Sequence, residues 1–331
     1  MHILVFLFHY GKSPFFFLAG TSCWFALETK SRKQYLIERL RRIAIPLVFG
    51  VAVINPAAQY LSVIAKGNYT KSFPSFYVSF FIKNYCHPNV IWQHLWFLAY
   101  LLFFTILLLP LVAIIKDKAI KTRIARVAGL FSNPPFLYLL SLPLIMTEFL
   151  LRINNDGNNA FINDWAGLLF YSVIFLYGFL LSSDMRFFES IVTYRWVSCF
   201  MSGICLGCLL YSIVVLRVPS TEKIIASMIY YGFSAFASFA LMLTFLGFFG
   251  KHMNFFNGFV RYAIEASYPF YILHTFPLCL MGYFILPLNM TLIMKFAVIS
   301  TGAFFGTMLL YETVVRPWNK IRFFFGMKTK I

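Results

Sequence analysis

The chain has 331 residues, of which 60% are hydrophobic and 12% charged, with 42 Phe and a mean hydropathy of +0.77. A water-soluble core of this size has no use for so much apolar surface, so composition excludes an ordinary soluble globular domain and points to the bilayer. The net charge of +17 does not indicate nucleic acid, because the 28 Lys and Arg sit in short clusters between apolar runs, where they orient helices.

A helix needs about 20 apolar residues to cross a bilayer, fewer or more with tilt. In chain order such runs lie at 3–27, 43–65, 92–115, 136–151, 165–182, 196–216, 224–249, 264–286 and 291–315. They predict nine spans and an all-α polytopic bundle. Lys12, Ser13 and Pro14 interrupt the first run, and the fourth is short. The connections at 28–42, 116–135, 183–195 and 250–263, with the tail 316–331, hold twenty Lys and Arg; those at 66–91, 152–164, 217–223 and 287–290 hold six. Basic residues are retained on the cytoplasmic side, so the alternation predicts an external N-terminus and a cytoplasmic C-terminus in a bacterial inner membrane.

With no cleavable signal pattern, tandem repeat or globular insert, residues 1–331 read as one integral-membrane domain. The longest outer connection, 66–91, carries Pro74, several aromatics, His87 and Pro88, and reads as a loop able to cap a cavity. Most of the six Cys fall inside apolar runs and read as packing residues; Cys205 and Cys208 have CxxC spacing but no second pair, so no metal site is expected. No helix shows a clear stripe of small residues, which leaves the oligomeric state open.

Ionisable groups are costly inside a bilayer and by default mark a cavity or a path. The candidates are His9, the cluster Arg39, Arg41 and Arg42, then His94, Glu148, Glu265, His274 and Glu312. His274 lies between Pro269 and Pro277, which remove backbone donors and open the helix. It is placed either to bind a hydroxyl or move a proton, or to satisfy a freed carbonyl. Glu265, nine residues earlier on a similar face, either pairs with a basic group or lies in the headgroup zone. His94, between Trp92 and Trp96, sits in an interfacial aromatic belt. Arg39 and Arg42, three apart on one helical face, either grip phosphate oxygens or anchor the helix. His9 has a wholly apolar approach, and burial there keeps imidazole neutral and able to accept a proton.

Five segments together resemble the membrane-bound acyltransferase family of type 3, in the branch that includes a glucan-succinylating glucan biosynthesis protein C. They are Phe15-Phe16-Phe17-Leu18-Ala19-Gly20, Glu38 through Leu47, His94-Leu95-Trp96-Phe97-Leu98, Ala266 through His274, and the closing stretch Arg316 to Lys328. The resemblance implies about ten helices and transfer of an acyl group, acetyl or succinyl, from a coenzyme A thioester to a hydroxyl of an envelope carbohydrate. It implies that His9 is the general base and that Arg39 and Arg42, matching an Arg-x-x-Arg motif, bind the donor's phosphates.

Taken with the residues above, the candidate site is His9, His274 and Glu265 for catalysis, Arg39 and Arg42 for the donor, and His94 and Trp96 around the acceptor. No bound cofactor or metal is expected; the expected partners are acyl-CoA, an envelope glycan or glycolipid, and the lipid bilayer, without nucleic acid. The family's first helix carries a basic residue well upstream of its histidine, whereas this sequence starts eight residues before His9. Residues 1–9 therefore read as the outer end of a truncated first helix joined to the second. Two rival readings stay open: an inactive truncated member acting as a membrane scaffold, and a polytopic transporter, which inverted repeats would favour.

Overall fold

The computed structural model describes residues 11–67, 72–85, 92–115, 118–152, 164–219, 223–253 and 255–329. Among these residues every regular element is a helix. Five helices among the described residues are long and apolar enough to cross a membrane, and eight spans result if each of three bent pairs counts as one. These eight correspond to all the apolar runs except the first, whose described part is the 17-residue helix α1, Ser13–Thr29. Apolar side chains lie open along the helices, among them Leu292, Ile293 and Phe296, an exposure suited to lipid rather than water. The chain is a multi-pass membrane protein.

Its residues group into two compact units of interleaved segments, one from Met1–Tyr35 and Phe103–Phe255, the other from Leu36–Leu102 and Phe256–Ile331. In the first unit the remaining helices are α5 (Lys118–Leu130), α6 (Pro134–Leu139), α7 (Ser141–Leu151), α8 (Trp165–Leu181), α9 (Met185–Thr193), α10 (Arg195–Val214) and α11 (Ile224–His252). Its centre is the crossing of α1 with α8. A Cβ on Gly20 would lie 2.0 Å from the Phe175 carbonyl oxygen, and one on Gly178 would lie 1.9 Å from that of Phe17. The two backbones therefore touch where each helix has a glycine, and Thr21 Oγ1 donates to the Gly178 carbonyl at 3.2 Å. Sequence inspection finds no small-residue stripe because one glycine per helix suffices. Around the crossing Phe16 stacks on Tyr171 and Trp24 meets Phe179 edge to face.

The same unit buries charge. Arg152 donates to both Glu148 oxygens, at 2.6 and 2.8 Å, and to Asp164 Oδ1 at 2.9 Å. All three residues are at most 5% exposed. Asp164 also caps α8 by accepting from the Gly167 N–H at 2.8 Å. Arg152, counted above as an outer-loop cation, is thus a buried partner of two carboxylates.

The second unit is built on α2 (Arg32–Ala65), whose first four residues belong to the first unit, and on α3 (Phe73–Tyr85), the start of α4 (Trp96–Ile115) after a 3-10 turn at Gln93–Leu95, α12 (Gly258–Leu273), α13 (Thr275–Ile285), α14 (Leu292–Leu310) and α15 (Asn319–Phe324). The stretch expected to be a loop at 66–91 contains α3 instead. Phe76 and Phe80, four apart, bury one face of it, and Tyr60 packs against Phe73 and Phe76.

Two π turns, Leu40–Ala44 and Gly50–Ile54, widen α2, each just before or across a proline's reach. Pro46 has no N–H for the Arg42 carbonyl four residues back, and Tyr268 OH donates to that carbonyl at 2.7 Å. Pro56 leaves the Ala52 carbonyl in the same position, and Tyr77 OH donates to it at 3.0 Å. Two tyrosines thus satisfy what two prolines release.

Candidate functional site

The helix pair α12 and α13 bends by 57° at His274. Pro269 lies inside α12 and Pro277 in the first turn of α13, so this bend sits where the sequence removes backbone donors. Carbonyls near the bend are met by histidine rings. His274 Nδ1 is 2.7 Å from the Tyr271 oxygen, and His94 Nε2 is 3.1 Å from the Ile272 oxygen. A carbonyl oxygen only accepts, so in each ring the nitrogen facing it carries the hydrogen. A neutral imidazole held in this way has its lone pair on Nδ1 in His94 and on Nε2 in His274.

The rings meet edge to face, with centroids 5.2 Å apart and planes at 83°. Tyr271 OH donates to the His94 carbonyl and Phe270 stacks on His274. Leu95 next door is fully buried against Gly50, where a Cβ would lie 2.6 Å from Leu95 Cδ1. Glycine at position 50 therefore lets the turn carrying His94 press onto α2.

The turn itself is unusual. Gln93 has φ +51°, a conformation that residues with a Cβ adopt rarely. Asn55, fully buried at the start of the last segment of α2, donates from Nδ2 to the Trp92 carbonyl at 3.4 Å, just before Gln93. Among the described residues, four polar atoms of these neighbouring segments are buried without a hydrogen-bond partner: Asn55 Oδ1, Trp92 Nε1, His94 Nδ1 and Thr275 Oγ1.

Of the residues expected from sequence, His94 and His274 come together. Trp96 is buried one step along, edge to face with Tyr100. Glu265 stands about 13 Å back along α12 by helical rise. It pairs with Arg322, whose guanidinium is 2.8 Å away and also donates to the Lys328 carbonyl at 2.9 Å. Of its two sequence readings, pairing with a basic group is the one realised.

Arg39 ends an α-helical stretch and Arg42 lies in the first π turn, where each residue rotates less about the axis than in an α-helix, so Arg42 falls short of the face it would share with Arg39 in an unbroken α-helix. Arg42 is exposed, and its backbone is covered by the chain's closing stretch. Gly326 has φ +63°, and a Cβ there would lie 2.9 Å from the Arg42 oxygen. Phe49 packs on Phe324 and Phe325. His9 lies outside the described residues. Glu148 belongs to the ion cluster of the first unit, and Glu312 binds Arg316 and Tyr262 at 2.8 and 2.6 Å. Among the described residues no group of three or more His, Cys, Asp or Glu is placed to hold a metal ion.

Sequence inspection passed over Asn55, Tyr268 and Tyr271. For Tyr268 the available signal was Pro46, which leaves the Arg42 carbonyl in need of a polar partner; for Asn55 and Tyr271, whose partners are the Trp92 and His94 carbonyls, the sequence carries no such signal. Over residues 1–312 the chain matches a family model described as an acyltransferase domain. Among curated proteins and among solved structures nothing matches it.

Proposed function

This chain belongs to the type 3 acyltransferase family, and from that premise we propose that it transfers an acetyl or succinyl group from acyl-CoA to a hydroxyl of an envelope carbohydrate. The observation that carries the chemistry is the pair of histidines at the α12/α13 bend, each with one ring nitrogen on a carbonyl, so that in the neutral ring the other nitrogen is left to accept a proton. In the proposed reaction one of these nitrogens takes the proton of the acceptor hydroxyl. The oxygen attacks the thioester carbonyl, a C–O bond forms and the C–S bond breaks. The coenzyme A thiolate leaves and receives the proton.

On this reading Arg39 and Arg42 hold the donor's phosphates from the cytoplasmic side, where the basic connections and the C-terminus lie in a bacterial inner membrane. Glu265 keeps the closing stretch in place through Arg322. His94 and Trp96 border the acceptor. His9 is assigned the base in the family resemblance, and the test separates it from the bend histidines.

The experiment is acyl transfer by the protein in nanodiscs, with radiolabelled acetyl- and succinyl-CoA and an envelope extract as acceptor. Label is expected in the carbohydrate fraction. His94→Ala and His274→Ala should abolish it, and Arg42→Ala should raise the KM for acyl-CoA. Full activity in both bend variants, with loss in His9→Ala, would move the base to His9. No transfer from the wild-type chain would remove the acyltransferase reading in favour of a scaffold.

A further inference from the structure

Buried polar atoms are almost always hydrogen-bonded, and leaving one without a partner costs about 1–3 kcal/mol. Four such atoms lie on segments joined by the Asn55–Trp92 bond and the His94–His274 ring contact, which gives them one common explanation to test. Their chemistry is defined by their other bonds. Asn55 Nδ2 faces the Trp92 carbonyl, which fixes the amide orientation and leaves Oδ1, an acceptor, open. His94 Nε2 faces the Ile272 carbonyl, which leaves Nδ1, also an acceptor. Trp92 Nε1 is a donor only, and Thr275 Oγ1 both gives and accepts.

Two acceptors, one donor and one hydroxyl form the complement of a group that is itself donor and acceptor. They fit neither an anion, which two acceptors repel, nor a cation, which the indole N–H repels. The residue that contributes most clearly is Asn55, which is fully buried and also holds the carbonyl preceding the positive-φ turn at Gln93.

We propose that Asn55 and Trp92 form a hydroxyl-binding seat beside His94, with Asn55 Oδ1 accepting from one hydroxyl of a polyol substrate and Trp92 Nε1 donating to another. This deepens the acyltransferase reading and rests on it for the fate of the bound hydroxyl: the one nearest His94 gives its proton to Nδ1 as its oxygen attacks the thioester. The seat determines which alcohols are accepted, and the donor is bound elsewhere.

The test uses the protein in nanodiscs and two variants, Asn55→Leu and Trp92→Phe, the second of which removes one N–H and keeps the ring. Three quantities are measured: binding of tritiated methyl glucoside without any donor, steady-state transfer to the same glucoside with acyl-CoA varied, and thiol release from acyl-CoA without acceptor. Each variant is expected to weaken glucoside binding and raise its KM about tenfold, the loss of one well-made hydrogen bond. The KM for acyl-CoA and thiol release without acceptor should stay within about twofold, as a merely structural role for these residues would not allow.

A fall in kcat with the glucoside KM and binding unchanged overturns the seat. So does loss of donor-only thiol release with glucoside binding intact, which would assign the four atoms to a water. Wild-type protein that binds glucoside but transfers nothing, with binding lost in Trp92→Phe, would keep the seat and remove the acyltransferase reading. Wild-type protein that does neither overturns both.

Discussion

Glu148, Arg152 and Asp164 in one unit and Asn55, His94 and His274 in the other are polar clusters among apolar helices, yet they are satisfied differently. The charged trio closes on itself: the guanidinium binds both carboxylates, Asp164 caps a helix, and among the described residues only Asp164 Oδ2 of the four carboxylate oxygens has no hydrogen bond. The uncharged cluster uses its donors on carbonyls and leaves acceptors open. A buried ion is too costly to leave unpaired, so charge at this depth is committed to holding helices together. A neutral imidazole or amide is less costly to leave open, and open valences are what a substrate can use. On the proposed function, the buried charge of the first unit serves architecture and the neutral polar groups beside His94 serve the acceptor.

The strongest way to break that contrast is His94→Ala. Transfer is expected to fall by about 10²- to 10⁴-fold, the usual weight of a positioned acid or base, with the unfolding midpoint in detergent little changed. A variant that loses fold and activity together would make His94 a packing residue. Arg152→Met is the mirror image. It leaves two buried carboxylates without their cation and should cost about 3–5 kcal/mol of stability in an SDS titration, while the protein that remains folded keeps its acyl-CoA KM. Unchanged stability with lost transfer would place chemistry in the charged trio instead.

Gly178→Leu sharpens the account of the first unit. A side chain there must displace the Phe17 backbone, so α1 and α8 separate at a cost of about 3 kcal/mol, read as a lower unfolding midpoint. Gly203, on α10, has nothing within 4 Å of a Cβ, and Gly203→Leu should leave the midpoint unchanged. The smallest effect is expected from Tyr268→Phe, which removes one hydrogen bond to the Arg42 carbonyl and should cost about 0.5–1.5 kcal/mol. If Arg42 depends on that bond for its orientation, the KM for acyl-CoA rises with it; if the KM is unchanged, the close contact with Gly326 alone holds the turn.

Length and apolar periodicity in the sequence were enough to determine an all-α membrane protein, the positions of its hydrophobic runs and, through five ordered segments, its family. Those properties depend on composition over about 20 residues, which burial in lipid imposes directly on the sequence. Prolines 46, 56, 269 and 277 likewise announced where α2 and the α12/α13 pair would release carbonyls. Which side chain answers the carbonyls that Pro46 and Pro56 release was decided only by tertiary packing, because Tyr268 lies 226 residues from Arg42 and Tyr77 lies 25 from Ala52. The same holds for the helix at 73–85, the pairing of Glu265 with Arg322 and the open valence of Asn55. A hydrogen bond is fixed by a few ångströms and an angle, and no pattern along the chain encodes a distance between segments that meet only when the helices pack.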